Sequence, residues 1–213
     1  MKWILQLLFP EKCVLCARVL NAGETDLCRQ CRCDSPVFTG RKSRPQFLDS
    51  FTAVWYYEKS VRSSLLRYKF SGRRSYAASY GRLLAMELLK AHPDGFDVLT
   101  WVPVSRFRKW KRGFDQVELI ARSAGRELGI RPTPLLKKIR HNRPQSSLAD
   151  AAHRRANVLG AYCCPVPEQA AGKRIILLDD VLTTGATASE CARVLKIAGA
   201  KEVHCAAMAA VRK

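Results

Sequence analysis

Four consecutive apolar residues, Ile175-Ile176-Leu177-Leu178, are followed at once by Asp179-Asp180-Val181-Leu182 and then by Thr183-Thr184-Gly185-Ala186-Thr187. Few folds accept such a segment. An apolar run without alternation is a strand buried on both faces, as in parallel sheets covered by helices. Acids at the carboxyl end of that strand lie where open α/β sheets bind ligands. The small residues after them let the backbone approach an anion, with Gly185 free of a Cβ penalty. Successive N–H groups and the dipole of the helix that follows favour negative charge there. Thr183, Thr184 and Thr187 add hydroxyl donors, and Thr187 with Glu190 has the spacing of a capping box. The nucleotide P-loop pattern, Gly-x-x-x-x-Gly-Lys-Ser/Thr, is absent. Two adjacent carboxylates repel unless something satisfies them, and sugar hydroxyls with a magnesium ion would do so. A plain strand, turn and capped helix accounts for Thr187 and Glu190. It leaves two acids and three threonines in nine residues unexplained.

The remaining periodicity agrees with that strand. Residues 51–57 read as a strand, 61–70 and 76–91 as helices, and 98–104 as an apolar strand. Tyr76, Tyr80, Leu83, Leu84 and Leu88 fall on one face of the second helix, which His92-Pro93-Asp94-Gly95 stops. Asp115 caps a helix with Val117, Ile120, Ala121, Ala124 and Leu128 inward, ended by Gly129. Residues 151–157 read as a short helix, 187–199 as a helix and 203–211 as a last strand. Strands alternating with helices predict an α/β fold with a mostly parallel sheet flanked by helices. The chain of 213 residues suits one such domain plus a small appendage. Gly40-Arg41-Lys42-Ser43-Arg44-Pro45 reads as a linker, dividing the chain into residues 1–45 and 46–213. No apolar run approaches the roughly 18 residues needed to span a bilayer. The stretch from Met1 to Phe9 is short, interrupted by Gln6 and followed by no small-residue cleavage site, so a cytoplasmic protein is expected.

The appendage carries the second pattern. Cys13-x-x-Cys16 and Cys28-x-x-Cys31, eleven residues apart, are two knuckles able to surround one tetrahedral zinc ion. So short a segment builds little core, and metal would supply its folding energy. Cys33 is a spare that could replace Cys31. Buried thiols or a redox pair are the alternatives. Nine cysteines without a secretion signal argue against a disulfide framework. A closed four-thiolate site is structural, with no open position for catalysis.

Charge is the third constraint. The net charge is +19, and residues 100–145 hold twelve basic residues against three acids. Such a field attracts polyanions, whether phosphorylated small molecules or nucleic acid. Its densest part is Arg106-Phe107-Arg108-Lys109-Trp110-Lys111-Arg112. Two roles compete with simple solvation of that loop. The turn at Val104 and Ser105, with Arg106 or Arg112, would hold a pyrophosphate; or the interleaved aromatics would stack on single-stranded nucleic acid.

The segment 175–187 resembles the PRPP (phosphoribosyl pyrophosphate) signature of the type I phosphoribosyltransferases. By that resemblance Asp179 and Asp180 bind the ribose hydroxyls, with Val181 and Leu182 leading into a cradle for the 5′-phosphate at Thr183, Thr184, Gly185, Ala186 and Thr187. Magnesium is expected with PRPP. Four further segments are similar to the ComF (GntX-like) family, bacterial proteins linked to DNA uptake: the two cysteine knuckles, Arg67-Tyr68-Lys69-Phe70-Ser71-Gly72, residues 102–105 through 112–116, and Gln145 through Val158. The family usually shows Asn where Asp115 stands, and often Tyr-x-Gly where Tyr68 to Gly72 carries two extra residues. Residues 140–147 lie where type I enzymes often have a mobile lid, the alternative being an ordinary connector. The resemblance implies a phosphoribosyltransferase; the first forty-odd residues are too few for a glutaminase domain, and their cysteines look like zinc ligands, so no glutaminase activity is expected. The rival is a non-catalytic protein handling single-stranded DNA or sensing PRPP, with other DNA-uptake proteins as partners. A PRPP-responsive transcription regulator ranks last, since no helix-turn-helix is evident.

Overall fold

The computed structural model describes residues 10–40, 43–140 and 158–212. The expected helix at 151–157, the lid segment beyond Arg140 and the first nine residues lie outside them. After helix α1 (Arg29–Asp34) come β1 (Ser50–Tyr56), α2 (Lys59–Phe70), α3 (Tyr76–Ala91), β2 (Val98–Trp101), α4 (Arg106–Arg112) and α5 (Gln116–Glu127). The short strands β3 (Lys137–Lys138) and β4 (Tyr162–Cys163) follow, then β5 (Arg174–Leu182), α6 (Ala186–Ile197) and β6 (Glu202–Ala210).

The four long strands form one sheet in the order β1-β6-β5-β2, every pair parallel, while β3 and β4 form a separate antiparallel ribbon. Helices cover both faces, as the continuous apolar run of β5 requires. Because side chains alternate across a strand, Ile176 and Leu178 enter one core with Tyr80, Leu84 and Ile120, from α3 and α5. Ile175 and Leu177 enter the other with Cys191 and Leu195 of α6. Val14, Leu15 and Leu27 of the cysteine-bearing segment belong to the first core, each at most 4% exposed.

Several boundaries differ from the sequence reading, each for a local reason. The strand expected over 98–104 ends at Trp101. Val102 N–H still reaches Leu178 C=O, but Pro103, with no N–H to give, stops the ladder. The strand expected over 175–178 instead runs through both acids to Leu182, because the small Ala206–Ala210 stretch of β6 stays paired with it. The basic loop from Arg106 to Arg112 is a short helix, capped by Ser105 Oγ accepting from Arg108 N–H and ended by left-handed Gly113. Finally, no capping box forms on α6. Its cap is Gly185, and the Glu190 carboxylate accepts instead from Gly160 N–H at 2.8 Å and pairs with Arg193.

Candidate functional site

The carboxyl ends of β1, β2 and β5 open into a cleft of about 310 Å³. Asp179 and Asp180 both line it, yet they reach it from opposite sides of the sheet. Asp180 follows the parity of Ile176 and Leu178 and meets α2 and α5. Its Oδ2 lies 2.9 Å from Lys69 Nζ and accepts from Gln116 Nε2 at 3.1 Å. Asp179 takes the other face, and its Oδ1 accepts the Asp180 N–H at 2.8 Å. The strand's period of two therefore splits two adjacent acids between two environments. Burial, and then the neighbouring Asp180 carboxylate, push Asp179 above the usual carboxylate range. Burial would raise Asp180 as well, but the Lys69 ammonium, the Gln116 amide and the Arg112 guanidinium together outweigh it and hold that carboxyl low. One acid is thus held ionised and the other is reluctant to ionise until a donor or cation arrives.

Beyond Leu182 the chain turns over Thr183 and Thr184 into α6. Asp179, Val181, Leu182, Thr183, Gly185, Ala186 and Thr187 surround a small hollow at the start of that helix. Thr184 Oγ1 accepts the Ala186 N–H at 3.4 Å. Gly185 has a φ of 78°, the left-handed region that favours glycine, and any Cβ there would overlap the ring of Pro45. The end of the linker therefore packs against the back of this turn.

Across the cleft stand Pro103, Val104, Arg108 and Arg112, with Lys69 and Lys138 also lining it. Four cations and two carboxylates line the cleft, a net positive balance that suits an anionic ligand. Of the residues expected to hold a pyrophosphate, Val104 lines the cleft, but its N–H is taken by Asp115 Oδ2 at 3.2 Å. Ser105 Oγ is occupied in capping α4, and Arg106 opens that helix. Arg112 lies in the cleft, stacked over the Phe70 ring at 5.0 Å, with burial lowering its pKa. The same Asp115 carboxylate also accepts from Val117 and Glu118 N–H, so one side chain fixes both the turn after β2 and the start of α5.

Lys69, Gln116, Arg108 and Lys138 received no individual role from the sequence. Lys69 and Gln116 lie inside segments that carry the family resemblance, which is the available signal. Lys138 carried none: the ribbon β3–β4 brings it over the Tyr162 ring at 5.2 Å, and burial brings its pKa down to about 8.

The sulfurs of Cys13, Cys16, Cys28 and Cys31 lie within 4.8 Å of one another. Cys16 Sγ and Cys28 Sγ are 3.8 Å apart, and a tetrahedral site with metal–sulfur bonds of about 2.3 Å has edges of about that length. The four thiols therefore fit a metal ion such as zinc. Cys33 is exposed and stands outside the cluster. The knuckle is tied to the cleft's own scaffold. Val14 C=O accepts from Ser64 Oγ and Leu15 C=O from Arg67, both on α2, two turns or less before Lys69. Asp26, buried between the knuckles, pairs with Arg82 of α3.

The profile of the phosphoribosyl transferase domain matches residues 118–213. DNA utilization protein YhgH of Escherichia coli O6:H1 is 31% identical over 201 residues, covering 90% of this chain and 87% of that protein. Competence protein ComFC of Bacillus subtilis is 30% identical over 187 residues, covering 86% and 70%. The chain belongs to the ComF family of phosphoribosyltransferase-like proteins. Competence protein F of Haemophilus influenzae, 26% identical over 220 residues, spans 92% of this ComF-family chain and 95% of its own length. Among solved structures, glutamine PRPP amidotransferase from B. subtilis, complexed with ADP and GMP, has a TM-score of 0.45 and 24% identity over 67% of this chain and 30% of that one. Among the described residues no helix is long and apolar enough to cross a membrane.

Proposed function

We propose that this ComF-family protein binds PRPP with magnesium in the cleft at the end of β5 and acts in DNA uptake or utilization, as the names of its relatives suggest. The observation that carries the reading is one cleft lined by both kinds of group. Asp179, Asp180, Thr183 and Thr187 line it together with Arg108, Arg112 and Lys69, which supply positive charge. The carboxylates suit ribose hydroxyls and a hard cation, the turn suits a 5′-phosphate, and the cations suit a pyrophosphate. Magnesium bound with PRPP would neutralise charge that develops on the departing pyrophosphate. The chain's own residues would position the sugar and stabilise charge. In a transfer reaction the C1′–oxygen bond to pyrophosphate breaks and a bond from C1′ to an acceptor nitrogen forms. Zinc in the four-cysteine cluster, held as a structural ion, completes this reading, along with residues 1–45 as its module and 46–213 as the phosphoribosyltransferase-like domain.

Titration calorimetry of PRPP with magnesium tests the site. Binding that needs magnesium, and that disappears in Asp179→Ala, Asp180→Ala, is the expected result. A folded wild type that takes up no heat would refute it. Pyrophosphate release in the presence of candidate bases and amines then separates an enzyme from a sensor.

One observation favours a second reading, single-stranded DNA binding. On α4 Trp110 is 81% exposed beside Arg108 and Lys109, and Phe107, at 55%, has its ring 6.3 Å away. Large exposed aromatics among cations are stacking platforms for unpaired bases. The two readings are compatible, since α4 borders the cleft.

A further inference from the structure

A second concavity, of about 820 Å³, runs between α3 and α5 and shares no lining residue with the cleft. Its floor is aliphatic, with Ala77, Ala78, Leu119, Ile130 and Pro132. Its rim is four arginines, Arg74, Arg122, Arg126 and Arg131, and among the described residues no acidic or aromatic one lines it. Two of the four are engaged. Arg122 forks onto Glu118, and Arg74 donates to Gly113 C=O at 3.1 Å while lying over the Phe114 ring. Arg126 and Arg131 are exposed and have no carboxylate within ion-pair distance among the described residues.

We propose that this groove docks an acidic amphipathic segment of a partner protein, aliphatic side chains on the floor and carboxylates on Arg126 and Arg131. Charge complementarity selects the occupant. Guanidinium groups take carboxylates through two parallel hydrogen bonds, and an amphipathic segment lays its apolar face into just such a groove. A second copy of this chain is a poor occupant, because a molecule of net charge +19 repels itself. Single-stranded nucleic acid gains little from an aliphatic floor with no ring to stack on. The exposed pair Phe107 and Trp110 is on α4, not here. The proposal is independent of what the cleft binds.

The test pans a bead-displayed library of peptides, glutamates alternating with leucines at helical spacing, against full-length protein, with a lysine-for-glutamate library as control. Arg126→Glu with Arg131→Glu reverses the two unpaired charges, and Arg126→Gln with Arg131→Gln removes them without adding repulsion. Melting curves verify that both variants fold. The expected result is enrichment from the acidic library alone, with anisotropy-measured affinity about tenfold weaker in either variant and oligothymidine affinity unchanged. Equal enrichment of both libraries, no loss in the variants, or loss of oligothymidine affinity in place of peptide affinity would each overturn the proposal. The last of these would assign the groove to nucleic acid.

Discussion

At the scale of single residues, the candidate site sets stability against binding. Asp179 is buried beside a second carboxylate, and its folded pKa lies above its unfolded value of about 3.9. The folded state therefore holds that proton more tightly, and stability falls as pH rises through the interval between the two values. Asp179→Asn removes the interval while keeping an oxygen for the Asp180 N–H. The variant should be more stable than wild type at pH 7 and indistinguishable from it below about pH 3.5, where both side chains are neutral. Denaturant midpoints across that range check the sign. A wild type more stable at pH 7 would mean the carboxylate already has a satisfying partner. Gly185 makes the opposite case. Its φ of 78° and its contact with Pro45 leave no room for a Cβ, so Gly185→Ala should cost at least ~1 kcal/mol in urea unfolding and weaken phosphate binding at the turn together.

At the scale of elements, α2 does two jobs with neighbouring turns. Ser64 and Arg67 hold the carbonyls of the first cysteine knuckle, and Lys69 holds Asp180. Stripping metal from the knuckle should therefore loosen α2 at both ends of this connection. Hydrogen exchange should show amides of Lys59–Phe70 losing protection when a chelator is added, and affinity for PRPP with magnesium should fall with it. Unchanged exchange in α2 would mean that the knuckle is held by the shared core alone. This link was not legible in the sequence. The spacing of Cys13, Cys16, Cys28 and Cys31 names four ligands, but nothing in it says that Val14, Leu15 and Leu27 complete the core of the larger domain. The strand and turn from Ile175 to Thr187 were legible because an unbroken apolar run and a left-handed glycine each have one good physical explanation. The parting of Asp179 from Asp180 is not legible, since the apolar run ends at Leu178 and the period-two argument applies only where the ladder continues. Lys138 escaped because a two-residue ribbon has no periodicity to read. Capping-box spacing misplaces Glu190 because it is a short-range pattern, while the backbone N–H that this carboxylate accepts from, Gly160, is thirty residues away.

At the scale of the whole molecule, the excess of 37 basic over 18 acidic residues makes any nucleic-acid binding strongly dependent on salt. Phosphate contacts release counterions, and each neutralised phosphate of a single strand adds about −0.7 to the slope of log affinity against log salt. Stacking has no such dependence and is worth roughly 1–3 kcal/mol per base. The second reading of the function therefore separates into two measurable parts on α4. Trp110→Ala removes a side chain that is 81% exposed, and should lower oligothymidine affinity by the same factor at every salt concentration, leaving the slope unchanged. Arg108→Gln with Lys109→Gln keeps the aromatics and should flatten the slope by about 1.4 if each cation contacts one phosphate. Anisotropy titrations from low to moderate salt read both quantities. A flattened slope without any effect of Trp110→Ala would describe a basic surface that attracts polyanions without stacking on their bases. An affinity untouched by either change would move nucleic-acid binding off α4.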